Sequence, residues 1–164
     1  MNRPPPGKRP TSFSKLDYPH QQLTGEIIGS AHHVDREFGF GFLESVYRRA
    51  LTVELRYRGV EVAEEVPYEL FHRGVSVGLF KADLLARATV MVEAKTGLVP
   101  DPVAPAQLLN CMCSARITVG LVVYFGPRGV EVKRVIASQA QRRRTHGAHV
   151  STTTYDLRSN EPTD

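Results

Sequence analysis

The stretch Val90-Met91-Val92-Glu93-Ala94-Lys95 is apolar at four of its six positions, yet it carries a carboxylate and an ammonium. Its apolar, β-branched character predicts a strand over residues 89–95, and a central one, because both faces would be covered. Alternate strand side chains share a face, so Glu93 and Lys95 point the same way, about 7 Å apart along the chain. Charges in so apolar a strand are costly to bury unless they are paired or bound to a cation. Just upstream, Leu79-Phe80-Lys81-Ala82-Asp83-Leu84-Leu85 places another carboxylate near the end of a second strand-like run. The spacing D-x9-E-x-K thus joins two neighbouring strands and lets Asp83 and Glu93 meet at one end of a sheet. An acidic pair beside a lysine suits a hard divalent cation, since Mg²⁺ accepts one or two carboxylates plus waters and phosphate oxygens. A buried structural ion-pair network is the alternative use of the same three residues.

Working outward, Leu23, Ile27, Ala31, Val34 and Phe38 recur at spacings of three and four and predict an amphipathic helix over residues 21–37. Gly39 and Gly41 break it. A second helix is expected from near Phe42, burying Leu43, Val46, Tyr47, Ala50 and Leu51, and stopping at Gly59. Val62, Val66, Tyr68 and Leu70 alternate in a strand that Pro67 assigns to an edge. Residues 75–85 alternate again. Pro105 suits the first turn of a helix running to about Ala115. Two further strands, 117–125 and 130–136, flank the turn Gly126-Pro127-Arg128-Gly129. The order α-α-β-β-β-α-β-β implies an α/β (α+β) fold, a mixed sheet with helices packed on it.

The 164 residues suffice for one domain with tails. Residues 1–18, Pro- and Arg-rich, read as a disordered leader, residues 19–136 as the domain, and residues 137–164 as a disordered basic, then Ser/Thr-rich tail that opens as a short helix. Two cysteines are too few for a disulfide-stapled scaffold. No apolar run approaches the roughly 20 residues that span a bilayer. A cytoplasmic protein with no membrane contact is the expectation. The net charge of +4 is uneven, because residues 19–136 hold 13 basic and 13 acidic side chains. The basic excess therefore lies in the tails, where it could attract a polyanion or merely solubilise the chain.

Asp83 with Glu93-Ala94-Lys95 resembles the D…(D/E)-x-K signature of the PD-(D/E)XK nuclease-like superfamily. Gly41-Phe42-Leu43-Glu44-Ser45-Val46-Tyr47 resembles the motif that names its GxxExxY branch, and Ala106-Gln107-Leu108-Leu109-Asn110 and the Gly120–Gly126 segment fit the same branch. The resemblance covers about residues 22–136. It implies a restriction-endonuclease-like core with its site at a bend or fork in the central strands. It further implies a metal-dependent phosphodiesterase acting on DNA or RNA with Mg²⁺ or Mn²⁺, or a silent module built on the same fold. Carried onto this chain, Asp83 and Glu93 would bind the metal, with Glu44 completing the acidic cluster. Lys95 would position or deprotonate the attacking water, or offset charge on the phosphate. Gln107 and Tyr47 would line the site or touch substrate. From the residues alone, Glu44 is equally explained as a helix-end charge paired with Arg48 at i+4, Gln107 as a packing amide and Tyr47 as core. The chain departs from the family pattern at Asp35, at Asn110-Cys111-Met112-Cys113 and at Tyr124. Cys111 and Cys113, two apart on a helix, do not share a face and read as core or boundary residues.

Overall fold

The structure, a computed structural model, describes residues 19–144. The expected leader, and the tail beyond 144 with His146 and His149, lie outside the described residues. The elements are α1 (Gln21–Phe38), α2 (Glu44–Tyr57), β1 (Val62–His72), β2 (Val75–Ala86), β3 (Val90–Thr96), α3 (Ala104–Ala115), β4 (Val119–Gly126), β5 (Gly129–Ile136) and α4 (Gln139–Arg144). The five strands form one sheet in the order β1-β2-β3-β4-β5. β3 and β4 run parallel and the other neighbours antiparallel. The mixed α+β architecture, the edge position of β1 and the central position of β3 agree with the sequence reading.

Two apolar clusters cover the two faces. On one face Leu23, Ile27 and Val34 of α1 and Leu51 and Leu55 of α2 meet Leu84, Val90, Val92, Leu121, Val123 and Phe125. On the other, Leu108 and Met112 of α3 meet Leu85, Met91, Val122 and Val135. Gly120 permits the close seating of α3, since a Cβ there would lie 2.4 Å from the Met112 sulfur. Ile117 N–H donates to Met112 C=O (2.9 Å) to complete the helix exit, and so β4 starts at Val119, two residues later than expected.

The start of α2 also differs from expectation. The helix begins at Glu44, and Leu43 is an extended N-cap residue (φ −67°, ψ 150°). A helix-period pattern placed Leu43 in the core, but outside the helix that period no longer applies, and Leu43 is 74% exposed. Tyr47 is wholly buried. Its hydroxyl donates to Gly39 C=O (2.6 Å) and accepts from Phe42 N–H (3.2 Å), and its ring stacks on Phe125 at 4.6 Å. Tyr47 therefore pins the Gly39-Phe40-Gly41 turn, in which Gly39 and Gly41 both hold positive φ.

The feature that positions the site is a fork. β2 pairs with β3 only through Leu84↔Val92, Leu85↔Met91 and Ala86↔Val90. Beyond Leu84 the two strands separate. At the same level β1 and β2 lose one pair, because Glu65 and Asp83 drop out of an otherwise continuous register between Glu64↔Leu84 and Val66↔Ala82. Glu65 sits at φ 49°, a left-handed conformation that costs a non-glycine residue about 1–2 kcal/mol. Strand alternation also breaks here: Leu85 and Ala82, three positions apart, join the same cluster, as do Ala63 and Val66. The bend turns the β1–β2 hairpin so that Tyr68 and Phe80, stacked at 5.0 Å, pack on the α3 side.

Candidate active site at the strand fork

Asp83 sits at the bend itself. Its Oδ2 accepts the Ala94 N–H at 2.9 Å, so a side chain satisfies a β3 donor that the departing β2 backbone no longer reaches. This bond ties the carboxylate to the strand that carries Glu93 and Lys95. Lys95 Nζ donates to Glu93 Oε1 at 2.8 Å and lies 3.5 Å from Glu44 Oε1 at the first turn of α2. The structure thus brings together Asp83, Glu93, Lys95 and Glu44. The alternative Glu44–Arg48 pair is absent among the described residues.

Arg48 goes elsewhere. Its Nη1 stands 3.6 Å from Asp83 Oδ1 and 3.4 Å from Glu65 Oε1, while its buried Nε finds no partner among the described residues. Arg48 and Glu65 are the site neighbours that sequence reasoning missed. The available signal was a second acidic residue in β1 facing the level of Asp83, but pairing it required knowing the bend.

Gln107 is exposed on α3, and its side chain makes no hydrogen bond to the four clustered residues. Tyr47, with its ring buried and its hydroxyl used twice, is part of the core. Tyr124 is buried too and donates to Gly97 C=O at 2.6 Å, fixing the turn that follows Lys95-Thr96.

The electrostatics are those of crowded acids with a shared base. Burial and then the Asp83 charge push the Glu93 carboxyl above its ordinary range, outweighing the hydrogen bond and charge of Lys95. Burial alone would lower Lys95, but its bond to Glu93 and the charges of Glu93, Glu44 and Asp83 outweigh that and hold its pKa above the ordinary value. Lys95 therefore stays protonated while the carboxylates hold it. Burial, helped by the Glu93 charge, raises the Cys111 thiol to about 11, so α3 lies within electrostatic reach of the site and Cys111 is a poor nucleophile.

Whether these residues suit a metal ion turns on donor chemistry. Among the described residues no group of three or more His, Cys, Asp or Glu side chains forms a cage of its own. The set at the fork is two hard oxygen donors, Asp83 and Glu93, with Glu44 across Lys95. That composition fits Mg²⁺ or Mn²⁺, which take few protein carboxylates and complete their shell with water and phosphate. It does not fit Zn²⁺, which favours Cys and His.

The model of the PD-(D/E)XK nuclease superfamily matches residues 21–135, and the chain belongs to that superfamily. Its fold is accordingly restriction-endonuclease-like. Enzymes of the superfamily typically use divalent metals. No curated protein matches the chain. Among solved structures, one described as "Crystal structure of SSO0001" is similar, at 17% identity and a TM-score of 0.47. The match covers 78% of this chain and 65% of that one.

Proposed function

We propose that this member of the PD-(D/E)XK nuclease superfamily is a metal-dependent phosphodiesterase that hydrolyses DNA or RNA at the β2–β3 fork. One observation supports the reading above others: Asp83, Glu93, Lys95 and Glu44, from three separate elements, converge where the sheet opens. Asp83 and Glu93 would hold Mg²⁺ or Mn²⁺, with Glu44 at the rim. When bound, the cation supplies a lowered water pKa and offsets charge on the phosphoryl oxygens.

The chain's own residues do the rest. The Ala94 N–H orients Asp83 and leaves its second oxygen facing Arg48. Glu93 is buried enough to favour a positive partner. Lys95, kept protonated by three carboxylates, is a donor for the charge that develops on a phosphate oxygen or for the attacking water. Arg48 is a second cation in the cluster, beside Asp83 and Glu65. The unit that carries this chemistry is residues 19–136, and the basic flanks at 1–18 and 137–164 would add salt-sensitive attraction to a polyanion. No helix among the described residues is long and apolar enough to cross a membrane. The two free cysteines suit a reducing cytoplasm.

The test is cleavage of single- and double-stranded DNA and RNA with Mg²⁺ or Mn²⁺ and with chelator. Metal-dependent cleavage by wild type, lost in Asp83→Ala and Glu93→Ala, supports the reading. A second reading, a silent nucleic-acid-binding module, is favoured by the self-contained pairing of Lys95 with Glu93 and Glu44 and of Arg48 with Asp83 and Glu65. Absence of cleavage on every substrate, with no metal-induced rise in melting temperature, selects it.

A further inference from the structure

A cavity of about 310 Å³ opens on the α3 side of the sheet, between the loop that follows β3 and the β4–β5 edge. Pro100, Pro102 and Pro105 wall it, Val122 and Tyr124 form its floor, and Asp101, Glu131 and Lys133 supply its charges. The sheet register sets its distance from the fork. Glu93 pairs with Val122, which pairs with Lys133, and Lys95 pairs with Tyr124, which pairs with Glu131. These are two parallel rows across three strands, and Glu93 and Lys95 lie on the same face as Val122 by strand alternation from Met91. The floor is thus one strand away from the clustered acids, and the charged rim is two strands, or about 10 Å, away. A single nucleotide spans that distance from phosphate to base.

We propose that this cavity is a base-recognition subsite, which takes the nucleobase beside the scissile phosphate and selects guanine over uracil or thymine. The inference rests on the phosphodiesterase reading of the fork. Its chemistry is that of the rim. Guanine presents two N–H donors next to one carbonyl, which suit carboxylates beside an ammonium. Uracil and thymine present two carbonyls around one N–H and would set a carbonyl oxygen against a carboxylate. The rim groups are free to act. Asp101 spends one oxygen on the Val103 N–H (2.8 Å), Glu131 has only a long, exposed contact with Arg128 (3.5 Å), and Lys133 has no ion pair among the described residues. Flat apolar walls replace the stacking that an extruded base loses, so the substrate is a single strand or a locally opened one.

The full chain is titrated without metal with GMP and UMP, which share a phosphate and differ in the base, and backbone amide shifts are followed by NMR. GMP is expected to shift Ala104, Val132 and Lys133 saturably, with UMP about tenfold weaker or more. Glu131→Gln, on an exposed edge position, is expected to weaken GMP about tenfold and to abolish the preference. Equal binding of the two nucleotides, shifts centred away from the cavity, or an undiminished preference in Glu131→Gln overturns the proposal. Cleavage of guanine-free strands at the full rate also overturns it and leaves the phosphodiesterase reading standing. GMP binding at the cavity by a protein that cleaves nothing supports the subsite and removes the catalytic reading instead.

Discussion

The two ends of β3 obey different physics within seven residues. At one end Val90, Met91 and Val92 are fully buried, hydrogen-bonded to β2 on one side and β4 on the other. At the other, Glu93 to Thr96 keep β4 but lose β2, and Glu93, Lys95 and Thr96 are only half-buried. What separates them is a backbone event on the neighbouring strands, the bend at Glu65 and Asp83. A strand that is sealed at one end gives a fixed platform, and where it is unsealed it leaves backbone donors and space for charged side chains. The candidate site is therefore the sheet's interruption, held in place by the part that is not interrupted.

The sharpest way to break that contrast is Lys95→Ala at the open end. If the fork is catalytic, cleavage is expected to fall by 10²- to 10⁴-fold, on the order of other lost acid–base or electrostatic groups, with the metal-free melt near wild type. If the four residues are a structural network, removing Lys95 strands crowded carboxylates, and the loss appears instead as about 3–5 kcal/mol of stability. At the sealed end Leu84→Ala is expected to cost about 2–5 kcal/mol in denaturant unfolding, since Leu84 is fully buried and paired with Val92. A Leu84→Ala loss below 1 kcal/mol would show that the two ends are not mechanically distinct. Somewhat smaller is the effect expected of Gly120→Ala. Its Cβ would press on Met112 and Leu108 and is expected to cost about 1–3 kcal/mol.

How much of this was legible in the sequence divides along the same line. The sealed elements were, because each depends on a local period: the α1 stripe and the run of residues 90–92. The edge position of β1, marked by Pro67, was legible too, though its single alternation was not kept through the bend. The identity of Asp83, Glu93 and Lys95 was also legible, since charge in an apolar strand is conspicuous. The bend was not. Nothing in Glu64-Glu65-Val66 announces a left-handed residue, which glycine or asparagine would ordinarily mark, and without it neither the Arg48–Asp83 contact nor the flipped faces of β1 and β2 follow. Leu43 misled for a related reason: one residue of helix boundary decides whether a leucine faces the core or solvent.

Glu65→Gly sharpens this point. Relief of the left-handed backbone favours the variant by about 1–2 kcal/mol. Added chain entropy of glycine and the loss of the exposed Arg48 contact oppose it by about 1 kcal/mol. The net change in a thermal melt is therefore small and slightly stabilising. A clear destabilisation would mean that the Glu65 carboxylate, rather than the backbone, holds the fork open.

The smallest expected effect is a pH dependence, and its sign separates the two ends once more. Glu93 is raised in the folded protein, so the native state binds that proton more tightly than the unfolded chain does. Its contribution to stability is therefore gained as pH falls through the raised pKa and is lost as pH rises past it. Lys95 is also raised. Its contribution is present below the ordinary lysine pKa and is lost as pH rises through the folded value. Both groups thus make the fork less stable towards alkaline pH. Metal binding at the proposed site would run the other way on the acid side, because a protonated Glu93 would be no ligand. Melting curves without metal should then show Glu93→Gln more stable than wild type at neutral pH, by a margin that shrinks as the wild-type carboxylate takes up its proton. With Mg²⁺ or Mn²⁺ the wild type should regain the difference as pH rises through the same range, and Glu93→Gln should not. A Glu93→Gln variant that melts below wild type at neutral pH without metal would show that the Lys95 pair outweighs burial, and that the open end of β3 is held shut by its charges.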